Sequence, residues 1–182
     1  MTNLEKNNLS SSFQKLYVDP ISKHSFQIIQ AQGLPEGERA LLFHSSKEGK
    51  EFLSKNQLIC KFASSLEIVP EEEFNTKGHI YENYSVQWKK NQIAIPSSIE
   101  TNENQLGLLA NTSWKEDPYR LKCNARLSSV CPSYLLEENR NEKNKIQIYL
   151  YSTCKIKKGD EILLFYGKEF TNYLSKNKNE IP

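Results

Sequence analysis

Apolar residues fall on alternate positions in several short stretches of the chain, the pattern of strands buried on one face. Across 145–151, Ile146, Ile148 and Leu150 alternate with Gln147, Tyr149 and Tyr151. Tyr84, Val86 and Trp88 alternate in the same way, and Ile93 and Ile95 do so after Asn91. The two runs predict a hairpin that turns near 89–91. Ile162–Tyr166 is a continuous apolar run, short enough for a buried strand, and it stops at Gly167. Ahead of it, Lys157, Lys158, Gly159 and Asp160 predict a polar turn in which Gly159 can take a positive φ at no steric cost. Weaker strand signals lie around Phe26–Ile29 and across 123–130, before Pro132. Gly33, Pro35 and Gly37 mark 32–39 as a loop. Helical periodicity is scarce, and turn signals recur every ~8–12 residues, which predicts a mostly β fold with few short helices. Glu71, Glu72 and Glu73 after Pro70 read as a solvated helix start, where carboxylates suit the helix dipole. The functional alternative is an acidic lip for a basic substrate tail.

Composition narrows the class. A chain of 182 residues predicts one domain with a hydrophobic core, placed at 21–174 between polar, flexible segments 1–20 and 175–182. A net charge of +2 gives no case for direct nucleic-acid binding or for an anionic membrane surface. No apolar run approaches the ~20 residues of a membrane span. The polar N-terminus does not resemble a secretion signal. The expected location is therefore intracellular, nuclear or cytoplasmic. Cys60, Cys123, Cys131 and Cys154 form no C-x-x-C pair, and no His stands at finger spacing, so no metal site is expected. They read as isolated, small, buried residues of a reducing compartment. His44, beside Ser45, Ser46 and Lys47, reads as a surface histidine rather than a base.

Two longer stretches carry more chemistry when laid side by side. Gly107–Leu127 contains Gly-Leu-Leu-Ala-Asn-Thr-Ser-Trp and, after a polar run, Cys-Asn-Ala-Arg-Leu. Downstream come Ile156-Lys157-Lys158-Gly159-Asp160-Glu161-Ile162 and Phe165-Tyr166-Gly167. Together they resemble the SET domain of protein lysine methyltransferases. That family has an Asn-His-Ser-Cys motif, a Pro-Asn after it, and an Ile-x-x-Gly-Glu-Glu-Leu turn that ends in Asp-Tyr-Gly. Order and spacing agree, apart from a longer segment between Asn111 and Asn124. The resemblance covers roughly Arg39 to Phe170 and is specific in its C-terminal third.

The resemblance implies small curved sheets with a threaded C-terminal segment. It also implies methyl transfer from S-adenosyl-L-methionine to a lysine of a histone or non-histone protein, in a narrow channel lined by tyrosines. On that alignment Tyr166 stands at the methyl-transfer centre. Tyr84, with Tyr81 second, would line the lysine channel. Asn111 and Thr112 would hold the cofactor, Phe43 would belong to the cofactor-binding strand, Asn124 would tie the threaded segments together, and Phe170 or Tyr173 would stack on the adenine. The amine must be neutral to react, and a dry channel next to a sulfonium disfavours the ammonium. Each of these aromatics reads equally well as packing. The chain also departs from the family pattern. Arg39-Ala40-Leu41-Leu42-Phe43-His44 lacks both glycines of the cofactor motif, Thr112 replaces the motif His, and Phe165 stands where Asp is usual. These departures keep a second class open, a catalytically inactive SET-like protein-binding module. An unrelated β-rich protein with a chance match is a third.

Overall fold

The buried carboxylate of Asp19 pins the first hairpin of the protein to its central sheet. In the computed structural model, which describes residues 15–30, 39–77, 84–100, 103–112, 123–130 and 146–165, Asp19 is fully buried. Its Oδ1 accepts from the N–H groups of Ile21 (3.0 Å) and Ser22 (2.6 Å), and its Oδ2 accepts from that of Lys61 (3.3 Å). Burial pushes its pKa up, and these hydrogen bonds pull against that. The hairpin starts with strand β1 (Leu16–Val18), so the sheet reaches back past the domain boundary expected at residue 20. β1 pairs antiparallel with β2 (Ser25–Gln30), which pairs with β3 (Arg39–Ser45).

The chain then runs through β4 (Phe52–Leu53), β5 (Leu58–Lys61), β6 (Leu66–Pro70), helix α1 (Glu71–Lys77), β7 (Val86–Lys89) and β8 (Gln92–Pro96). The expected hairpin is β7–β8, with Asn91 at φ 60° in its turn, and β8 is the middle strand between β6 and β7. The acidic start of α1 is solvated, with Glu72 and Glu73 exposed. A 3-10 segment, Glu103–Leu109, leads into β9 (Asn111–Thr112). The alternation in the sequence carries no periodic signal for this segment, yet Leu106 and Leu108 are buried. The remaining strands are β10 (Ala125–Ser128), β11 (Tyr149–Ser152), β12 (Ile156–Lys157) and β13 (Leu163–Leu164).

The fold is mostly β, with several small sheets, none closed, and a single α-helix among the described residues. The largest sheet has the order β5-β11-β10-β13-β9. One core joins the sheets. Phe26, Leu41 and Phe43 of the first sheet meet Ile59, Leu106, Leu150, Ile156, Ile162 and Leu164. No helix among the described residues is long and apolar enough to cross a membrane.

Candidate functional site

The stretch from Ile156 to Phe165 gathers segments that are far apart in sequence. It opens with a tight turn. The Asp160 N–H donates to the Lys157 carbonyl (3.0 Å), and Gly159 sits at φ 86°, the positive value a type II turn needs at its third residue. The Asp160 carboxylate closes the turn by accepting from the Lys157 N–H (2.7 Å). The chain then runs along β3. Gly159 donates to the Phe43 carbonyl (2.8 Å), Phe43 to that of Asp160 (3.0 Å), and Ile162 to that of Leu41 (2.8 Å). Beyond Ile162 it becomes β13, which lies parallel to both of its neighbours, β9 on one side and β10 on the other.

Asn124 holds that insertion. Its Nδ2 donates to the Glu161 carbonyl (2.7 Å) and its Oδ1 accepts from the Leu163 N–H (2.9 Å). Its own N–H donates to the Leu163 carbonyl (3.1 Å), and its carbonyl accepts from the Thr153 N–H (2.8 Å). The side-chain amide thus acts as one more peptide unit, extending β10 against a strand only two residues long. Such a strand has little stability of its own, so the amide matters to its placement.

The chain matches no protein-family model and no curated protein.

The residues singled out from the sequence fare differently. Asn111 and Thr112 form β9, in register with Leu163 and Leu164. Phe43 is in the core, 1% exposed, with its ring edge-on to Phe26 (centroids 6.2 Å) and to His24 (6.4 Å). Tyr84 is half-buried just ahead of β7 and packs against the main core. Phe165, 36% exposed, follows β13 directly. Tyr166 and Phe170, like Tyr81 and Tyr173, lie outside the described residues. The structure therefore brings Asn111, Thr112 and Asn124 around β13 and sets Phe43 one strand away, in the core. Of the cysteines, Cys60 is buried as expected, but Cys123 is half-buried and Cys154 is exposed.

Sequence reasoning passed over His24, which is 6% exposed. Its Nδ1 accepts from the Lys47 N–H (2.9 Å), which fastens the turn after β3. Nearby Ser46, Lys50, Phe52, Ser54 and Gln57 line, with it, a cleft of about 50 Å³, well below the ~300–1,000 Å³ of typical small-molecule sites. Desolvation lowers the His24 pKa to about 4, and the Lys47 charge adds to this; a hydrogen bond to the Leu58 backbone and the Glu48 charge act the other way. Between that value and the ordinary 6.5, the unfolded chain binds a proton that the native state does not. This contribution to stability is thus complete above pH 6.5 and is lost as the pH falls toward 4. The His24 contribution to stability is expected to drop by about 2 kcal/mol between neutral pH and pH ~5. Asp19, with its raised pKa, works in the opposite sense in acid. Urea titrations of the wild type and His24→Gln at both pH values separate the two: the variant should lack the His24 part of the slope, and equal slopes would remove His24 as its source.

Proposed function

We propose that the chain transfers a methyl group from S-adenosyl-L-methionine to a lysine side chain of a protein. The observation that carries this reading is the junction at Asn124. Three of the four short segments on which the resemblance rests meet there: β9 supplies Asn111–Thr112, Asn124 precedes β10, and the turn at Gly159 delivers β13 between them. A chance match of motifs gives no reason for them to meet.

In this reading backbone, rather than the side chains expected to hold it, would carry the cofactor. Phe43 is enclosed by apolar packing, and Asn124 is engaged by its own protein. β9, however, is the last strand of its sheet, and the edge it turns away from β13 has no strand beside it among the described residues. Peptide groups on such an edge can hold a polar ligand. Bound S-adenosylmethionine would supply a methyl group already activated by its sulfonium. The protein's share is to align the amine, exclude water and keep that amine neutral. In this reading Tyr166, two positions beyond β13, hydrogen-bonds at the transfer centre, and Tyr84 contributes to the wall of the lysine channel.

One observation favours the second reading, a SET-like module that binds protein tails without catalysis. Where the family's glycines let backbone approach the cofactor, this chain has a seven-residue strand, β3, with Ala40, Leu41 and Phe43 all buried. Calorimetric titration with S-adenosylmethionine and with its demethylated product decides between the two. Micromolar binding, about 8 kcal/mol, is the expected result. A folded protein that binds neither compound would overturn the methyltransferase reading in favour of the module.

A further inference from the structure

We propose that the turn between β1 and β2 is an acid-released latch: protonation of His24 lifts residues 19–24 off β5 while the rest of the fold holds. β5 is the end strand of the five-stranded sheet, and no further strand pairs with it among the described residues. Side chains of the turn take that place. Asp19 Oδ2 accepts from the Lys61 N–H (3.3 Å) at one end of β5, and the His24 ring hydrogen-bonds to the Leu58 backbone at the other. Ile21 packs on the apolar pair of Leu58 and Tyr149.

The turn is a unit of its own. Asp19 Oδ1 accepts from the N–H groups of Ile21 and Ser22, and the His24 N–H donates to Ser22 Oγ (3.2 Å). The Asp19 N–H donates to the His24 carbonyl (3.0 Å), and the Lys23 N–H to the Asp19 carbonyl (3.0 Å). None of these bonds has to break for the turn to move. The β2–β3 register shifts between Ser25 and Phe26, directly behind the turn, and a strand bends at such an irregularity. Phe26, fully buried, anchors the far side of that bend. Little else fastens the turn: Asp19 on Lys61, Ile21 in its apolar contact, and His24. A local opening that breaks so few contacts costs less than global unfolding.

His24 is the part that answers to acid. Its Nδ1 accepts from the Lys47 N–H (2.9 Å), so the neutral ring carries its hydrogen on Nε2. A second proton has to go on Nδ1, where it faces the Lys47 N–H, and that bond is lost. The new charge finds no open carboxylate. On the turn itself stand Lys23 and Asp19, whose carboxylate already accepts from three N–H groups. The loop after β3 presents Lys47, Glu48 and Lys50, and Glu48 is paired with Lys50. Leu58 and Gln57 on the β5 side are uncharged, as is Phe43 of β3, edge-on to the ring. Cys60 and Lys61 lie beside Asp19. Lifting the turn takes the imidazolium into water. Burial holds the His24 pKa at about 4 in place, against 6.5 when released, so opening takes up a proton and is favoured as the pH falls. Asp19 opposes this, because burial raises its pKa and acid favours it in place. The lifted turn uncovers the Leu58 backbone and the Lys61 N–H at the end of the sheet, an edge that can pair with a strand of another chain.

Amide hydrogen exchange of the full chain, read by NMR at neutral pH and pH ~5 and corrected for intrinsic rates, tests the latch. The Lys47 and Lys61 amides report the turn. The Phe62 amide, bonded on the β11 side to the Ile148 carbonyl (2.8 Å), reports the sheet. Lys47 and Lys61 should exchange ahead of Phe62, through openings that low urea does not promote. His24 alone makes these openings about twentyfold more frequent at pH ~5 than at neutral pH. With the Asp19 offset, protection at both amides should fall at least about fivefold. His24→Gln, which takes up no proton, should abolish the fall. Lys61 and Phe62 exchanging together with the same urea dependence, a loss confined to Lys47, no change with pH, or an equal fall in the variant would each overturn the proposal. The first three outcomes are read on the wild type, so they decide even if the variant folds poorly.

Discussion

Replacing Asn124 by Asp lowers the free energy of unfolding by about 3 kcal/mol at neutral pH, the cost expected when partly buried backbone groups lose their partners. Asp is nearly the same size as Asn, so the loss reports hydrogen bonding rather than volume. The native amide faces the incoming segment with a donor toward the Glu161 carbonyl (2.7 Å) and an acceptor toward the Leu163 N–H (2.9 Å). A carboxylate keeps the acceptor but sets a second negative oxygen against the Glu161 carbonyl. Asn124→Ala removes both bonds and should cost a similar amount. The Asp variant has a signature that the Ala variant lacks. In acid its protonated carboxyl can donate to Glu161 again, so its deficit relative to wild type should narrow as the pH falls. Urea unfolding of the three proteins at neutral and acid pH checks this. A variant with Asp that is as stable as wild type at neutral pH would mean that the amide does not hold β13.

Gly107→Ala destabilises the fold by about 3 kcal/mol, at the upper end of the usual cost of overpacking a core. Two effects of opposite sign compete at this position. Gly107 lies within the 3-10 segment without a positive φ, so backbone preference alone favours Ala, by up to ~1 kcal/mol in a helical setting. A Cβ there, however, meets the Phe62 Cα at 2.5 Å, the Lys61 carbonyl oxygen at 2.8 Å and Leu150 Cδ1 at 2.9 Å. Leu150 can turn aside, but the other two atoms are backbone at the end of β5. Moving them strains the Phe62 N–H bond to the Ile148 carbonyl (2.8 Å), which continues the β5–β11 pairing. Sterics should therefore win. The sign of the change in a thermal melt is decisive, because a raised midpoint would show that the 3-10 segment stands off β5 further than these distances allow. Gly159, where an added Cβ meets nothing within 4 Å, offers the contrast of a glycine kept for its φ of 86° alone.

The sequence by itself determined the elements whose pattern repeats along the chain. Val86 and Trp88 against Ile93 and Ile95 specify a hairpin, Ile148 and Leu150 specify the strand that became β11, and Gly159 specifies the turn before β13. These signals are local, because alternation and a positive φ are properties of neighbouring residues. Tertiary structure alone decided the rest. β4, β9, β12 and β13 have two residues each, too few to show any period, and they are strands only because a partner arrives from elsewhere in the chain. The bonds from Asn124 reach 37 and 39 positions along the sequence, and those that bury Asp19 reach as far as Lys61. The same long-range packing buries Phe43 where a ligand contact was expected. Periodicity records which face of a segment is apolar; it holds no information on which distant segment will cover that face, and the candidate site is built from such meetings.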